Sequence, residues 1–250
     1  MSEYLINGET LTAIADAIRA KTGAAGTMAV NQMITEINNI PSSDTTATLR
    51  AIIERTAQNI VLPDNLTKIG IEVFSNCHDL VLTSLPTGVT RIETGAFYNC
   101  NKLALTSLPT GVTYIGQNAF MYCTNLALTS LPTGVTYIGE GAFQYCEKLA
   151  LTSLPTGVTK IDDSVFKNCF KLAITSIPAE VTYIGYAPFS NCTNLTTLTF
   201  EGRPNTIQST AFYKFPNLTT INVPWAEGAV AGAPWGATNA TINYNYTGEA

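Results

Sequence analysis

Six cysteines stand at 77, 100, 123, 146, 169 and 192, and a set of that size could hold disulfides, a metal or a nucleophile. Their spacing argues against each use. Every cysteine lies 23 residues from the next, no C-x-x-C pair occurs, and the single histidine, His78, is too little to complete a zinc set. A Cys/His or Ser/His pair would have to use His78, which sits beside Cys77 and reads as a surface residue. The seventh occurrence of the same position is Phe215. A residue exchangeable with Phe is filling space, so a buried thiol ladder is expected. Asp162, Asp163 and Glu140 fall in variable parts of the chain, where a solvated face is the default. No glycine-rich loop follows a strand and opens a helix. The expectation is no catalytic residue, no cofactor, no metal and no enzyme.

The period of 23 holds in three more columns. Phe recurs at 74, 97, 120, 143, 166, 189 and 212; Ile at 69, 92, 115, 138, 161, 184 and 207; Leu at 80, 103, 126, 149, 172, 195 and 218. Four registers agreeing over seven occurrences describe a solenoid, in which each coil buries its apolar residues only by stacking on its neighbours. Within Leu103-Ala104-Leu105-Thr106, alternation points the leucines inward, as in a short parallel strand. Pro109 closes that strand and Pro-Thr-Gly supplies a turn. Val112 and Ile115 return inward, and Ala119-Phe120-x-x-Cys123 reads as a helical or 3₁₀ turn on the back of the coil. The stretch LALTSLPTGVT occurs unchanged at 103–113, 126–136 and 149–159. It is scaffold, most simply repeated by duplication.

Composition agrees. The chain of 250 residues is 46% hydrophobic and 12% charged, about half the usual charged share. Thr, Ser, Asn and Gly must then supply most of the polar surface, which suits strands and turns. Net charge is −5, and no cluster of Lys and Arg stands out, so nucleic acid is not an expected partner. No apolar run approaches the roughly 20 residues of a membrane helix. The start, MSEYLINGET, has neither a basic nor an apolar signal region, so export by the general route is not expected.

The register Val-Thr-x-Ile-Gly-x-x-Ala-Phe-x-x-Cys-x-x-Leu, as in residues 112–126, resembles the BspA-like class of bacterial leucine-rich repeats over about residues 58–224. That family's pattern usually continues Leu-x-x-Ile-x-Ile-Pro, as Leu195-Thr-Thr-Leu-Thr-Phe and Leu218-Thr-Thr-Ile-Asn-Val-Pro do here. The middle coils depart, with Thr where an apolar residue is usual. The ends carry a second resemblance. Residues 4–23, and the tail from Val223-Pro-Trp to Tyr246, are similar to segments of phage and prophage tail-associated proteins of gut bacteria. These resemblances imply adhesion, surface display or virion attachment, and offer no catalytic residues to carry over.

The fold class expected is therefore α/β: a leucine-rich repeat solenoid of about seven 23-residue coils, with parallel strands and short helical turns, preceded by a helical segment. Residues 1–40 form an attachment module of two amphipathic helices, with Leu11, Ile14 and Ile18 on one apolar stripe and Val30, Met33, Ile34 and Ile37 on the other. Residues 41–57 are a linker and capping helix, 58–224 the solenoid, and 225–250 a cap using Trp225, Trp235 and the alternating 242–246 strand. The two outward groups richest in anchors are Arg91, Tyr114, Tyr137, Lys160 and Tyr183, and around the cysteine turn Tyr98, Tyr122 and Tyr145. They either contact a glycan or protein or pack coil on coil. The expected role is a tail-associated recognition protein of a virion, meeting tail or baseplate proteins or a host surface, with homo-oligomers through the N-terminal helices. A cell-surface adhesin and a passive spacer are the alternatives.

Overall fold

The computed structural model describes residues 58, 60, 62 and 64–248. The helices expected within 1–40 and the capping helix within 41–57 lie outside the described residues. The rest is a stack of coils, repeating every 23 residues, held by parallel pairing of like positions. Strands β1 (Lys68–Ile69), β2 (Arg91–Ile92), β3 (Tyr114–Ile115) and β4 (Tyr137–Ile138) form one sheet in that order. β5 (Lys160–Ile161), β7 (Tyr183–Ile184) and β9 (Thr206–Ile207) continue the same edge as a second sheet. In every pair the residues face each other one period apart, Tyr114 against Tyr137 and Ile115 against Ile138 for example. Identical spacing in sequence thus becomes contact in space.

The core is the set of inward columns. Phe74, Phe97, Phe120, Phe143, Phe166 and Phe189 are buried and stack ring on ring at 5.3 to 5.9 Å. Each full burial is worth about 1.5–3 kcal/mol, and each aromatic pair about 0.5–1.5 kcal/mol more. The cysteines form the neighbouring column, all buried and none in a disulfide. The Cys123 thiol donates to the Phe97 carbonyl oxygen at 3.0 Å, and Cys100, Cys146, Cys169 and Cys192 each make the same contact with the Phe carbonyl 26 residues earlier. Space-filling is therefore combined with a buried donor satisfied by the preceding coil.

Three expectations need correction. First, the back of the coil is not helical; no helix occurs among the described residues. Alternate amides make i→i−3 bonds within the coil, as Met121 to Asn118 and Cys123 to Phe120 do. The amides between them cross to the next coil, Phe120 to Ala142 and Tyr122 to Gln144. Left-handed residues at Asn118 (φ 53°) and Tyr122 (φ 64°) break any helical run, so the back is a chain of β-turns laddered coil to coil.

Second, Leu-Ala-Leu-Thr of the middle coils is not a strand. Inward residues Leu103, Leu105 and Leu108 leave Thr106 and Ser107 both outward, a pair no strand's alternation accommodates. Where Leu198 and Phe200 restore period two, β8 (Thr197–Phe200) forms and pairs with β6 (Ser176–Ile177) and β10 (Thr220–Asn222). Third, the solenoid runs to about eight turns. β11 (Thr241–Asn243) adds parallel to β10, so the expected cap is itself a last coil. Trp225 and Trp235 close it, meeting Phe200 and Phe212 edge to face at 5.2 and 6.2 Å.

Candidate functional site

The strand edge formed by β1–β5, β7 and β9 leaves its first residue outward and its isoleucine inward in every coil. Arg91, Tyr114, Tyr137, Lys160 and Tyr183 therefore form one row. The Arg91 guanidinium lies 3.9 Å over the Tyr114 ring, and Tyr114 stacks on Tyr137 at 4.7 Å with 5° between planes. Lys160 sits 5.0 Å over Tyr183. β4 and β5 adjoin without pairing, so the row falls into two segments between Tyr137 and Lys160. Glu93 holds Arg91 at 2.8 Å and raises its pKa, while Asp162 lies 3.5 Å from Lys160. In the Arg91 segment the ring faces meet each other and a cation. What that segment offers a partner is ring edges and hydroxyls. Partial burial raises the pKa of Tyr137, so its hydroxyl remains a donor at neutral pH.

The second group occupies the corner at the cysteine turn. Tyr122 and Tyr145 stack at 4.6 Å, and Tyr98 meets Tyr122 edge to face at 5.8 Å. Burial, then the neighbouring tyrosines, push the Tyr122 pKa up. Both stacked tyrosines hold left-handed backbone, φ 64° and 62°. The same place is Asn in four other coils, at 76, 99, 168 and 191, also left-handed. There Asn99 donates to Asn76 at 2.9 Å and Asn191 to Asn168 at 2.8 Å. Asn adopts this conformation readily, whereas an ordinary side chain such as Tyr pays about 1–2 kcal/mol for it.

Folding also gathers charges that are scattered along the chain. Lys102, Lys148, Lys167, Lys171 and Lys214 all fall on the arc around the cysteine turn, against two carboxylates, Asp79 and Glu147. The preceding arc carries Glu72, Glu93, Glu140, Asp162 and Asp163. Basic and acidic strips thus run side by side along an acidic molecule. The lysines and the exposed Phe170 were missed as a group because none adjoins another within a run; aligning charges by the 23-residue period would have found them. His78 is exposed and bonds the Asn101 side-chain oxygen at 2.9 Å. Recesses of about 460 and 440 Å³ lie beside the first and last described coils, and among the described residues each is lined by one carboxylate, Asp64 or Glu227, and by no histidine, lysine or arginine.

The repeat geometry has a match among known families. The BspA type leucine rich repeat region fits this chain in six copies over residues 53–173 and 115–227. The chain belongs to that family. BspA-type repeats explain the solenoid, its fixed inward columns and its free outward ones. Among solved structures, the chain is similar to the T. pallidum leucine rich repeat protein TpLRR, with 33% identity, a TM-score of 0.48, and coverage of 54% of this chain and 64% of that one. It is similar also to a leucine rich cell surface protein from Faecalibacterium prausnitzii, with 29% identity, 63% and 59% coverage and a TM-score of 0.44. A leucine-rich repeat protein from Bacteroides ovatus matches at 20% identity, 76% and 61% coverage and 0.47. The chain spans about six-tenths of the length of these proteins. No curated protein matches it.

Proposed function

We propose that this chain is a non-enzymatic recognition protein, a BspA-type scaffold that presents outward side chains to a macromolecular partner. One observation carries the reading: the inward columns hold nearly constant while outward aromatic and cationic residues change from coil to coil. A passive spacer needs no such residues. The row Arg91, Tyr114, Tyr137, Lys160 and Tyr183 would supply hydroxyl and cation contacts to a host protein or glycan, and Tyr98, Tyr122 and Tyr145 a second aromatic contact. We place the protein on a phage or prophage tail, since its terminal segments resemble tail-associated proteins. Partners there would be tail or baseplate proteins and the host surface, and residues 1–40 would mediate attachment or self-association. The family membership favours a second reading, a bacterial surface adhesin.

Thr206 holds the place of Tyr183 in the next coil, so Thr is compatible with the fold. The triple variant Tyr114→Thr, Tyr137→Thr, Tyr183→Thr should keep its circular dichroism spectrum and lose at least tenfold in retention on isolated bacterial cell walls. Full retention would remove this row from the binding surface. Antibody detection of the native protein decides between the two placements: co-sedimentation with tail particles supports the first, and recovery in washed cell envelopes the second.

A further inference from the structure

Tyr122 and Tyr145 occupy a position that is Asn in four of the other five coils and Lys214 in the last, against the preference of their own left-handed backbone. Their presence also interrupts an amide ladder, since Asn99 bonds back to Asn76 and Asn191 back to Asn168, with the two tyrosines between. Inward packing does not ask for them: coils with Asn at this place bury Phe97, Phe166 and Phe189 as fully as Phe120 and Phe143. The stacked pair runs toward coil five, where Phe170 is 37% exposed and Lys167 and Lys171 make no ion pair with any described residue. Lys148 is one coil nearer and meets only the Asn125 side-chain oxygen, at 2.6 Å. An aromatic pair and a strip of three lysines, with Glu147 the one carboxylate beside them, therefore share one corner of an otherwise acidic surface.

At the tyrosines the backbone is consumed. Tyr122 and Tyr145 donate their amides to Gln144 and Lys167 of the next coil, and Asn168 donates to Ser190. A peptide strand would find no free amide at these positions, and the 4.6 Å stack leaves no slot between the two rings for a base. What the tyrosine positions offer a partner is side chains: phenol hydroxyls and apolar ring surface, with the ammonium groups beside them. From this we infer that the corner formed by Tyr122, Tyr145, Lys148, Lys167, Phe170 and Lys171 binds an acidic polysaccharide. Lysines meet its anionic groups, hydroxyls exchange with the tyrosines, and the C–H face of a sugar covers exposed ring surface. This assignment rests on the recognition reading above, but on a different face from the strand-edge row.

The discriminating variant is Tyr122→Asn with Tyr145→Asn in the full chain. It restores the residue the fold prefers, and would join the existing Asn pairs into one run from Asn76 to Asn191. Dextran sulfate, neutral dextran, poly-L-glutamate and single-stranded DNA serve as probes, by fluorescence anisotropy with labelled polymer and thermal melting of the protein. The expected result is salt-sensitive binding of dextran sulfate alone, reduced at least fivefold by the Asn variant, whose melting temperature is unchanged or higher. Lys148→Gln, Lys167→Gln and Lys171→Gln together should reduce it at least tenfold. Equal binding of poly-L-glutamate, DNA or neutral dextran would overturn the assignment. So would an Asn variant that melts lower yet binds fully, which would make the tyrosines packing residues. Loss of the dextran sulfate result with retention on cell walls intact would leave the strand-edge reading standing.

Discussion

At Cys123 a small buried side chain does two things at once: it fills the space beside Phe120 and donates to the Phe97 carbonyl oxygen. Cys123→Ala removes both and should lower stability by about 1–3 kcal/mol in urea titration, with no change in binding. Burial pushes the thiols of Cys123, Cys146, Cys169 and Cys192 well above their ordinary range. A raised pKa in the folded state means stability is intact below the unfolded thiol value of about 8.5 and falls as pH rises past it. Each such thiol should contribute a loss of about 1.4 kcal/mol per pH unit above that point. Urea midpoints at pH 7 and pH 10 test this, and a flat profile would mean the thiols are accessible. Ellman's reagent should likewise find no reactive thiol in the native protein and six on unfolding.

At the scale of the element, each coil has a laddered side and an unladdered side. The amides of Phe97, Phe120 and Phe143 bond to the next coil, whereas those of Thr106, Ser107, Thr129 and Ser130 make no backbone bond. Amide hydrogen exchange should protect the first group by several orders of magnitude over the second; equal exchange would contradict the turn ladder. Coil spacing is set partly by glycine. A Cβ at Gly139 would come within 2.5 Å of the Gln117 backbone nitrogen of the preceding coil. Gly139→Ala should therefore cost about 1–3 kcal/mol, the usual range for an overpacked contact, seen as a lower denaturation midpoint.

For the whole molecule, stability is a sum over coils and their interfaces, so the ends matter most. Removing residues 225–250 takes away β11, Trp225 and Trp235, and uncovers Phe200 and Phe212. The shortened chain should melt lower and aggregate in size-exclusion chromatography; a monomer of unchanged stability would show that the last coil is dispensable.

Periodicity alone determined the solenoid, its inward Ile, Phe, Leu and Cys columns, and the two outward tyrosine groups. A 23-residue spacing in a stacked coil leaves little choice over which residues touch. It did not reveal which segment would be strand, because Leu-x-Leu and Leu-x-x-Leu-x-Phe differ by one position and only hydrogen bonding to neighbours separates them. Nor did it show the β-turn ladder, whose bonds cross between coils. The basic strip and the left-handed cost at Tyr122 and Tyr145 needed the tertiary structure, since both depend on backbone conformation and on residues more than twenty apart arriving at one corner.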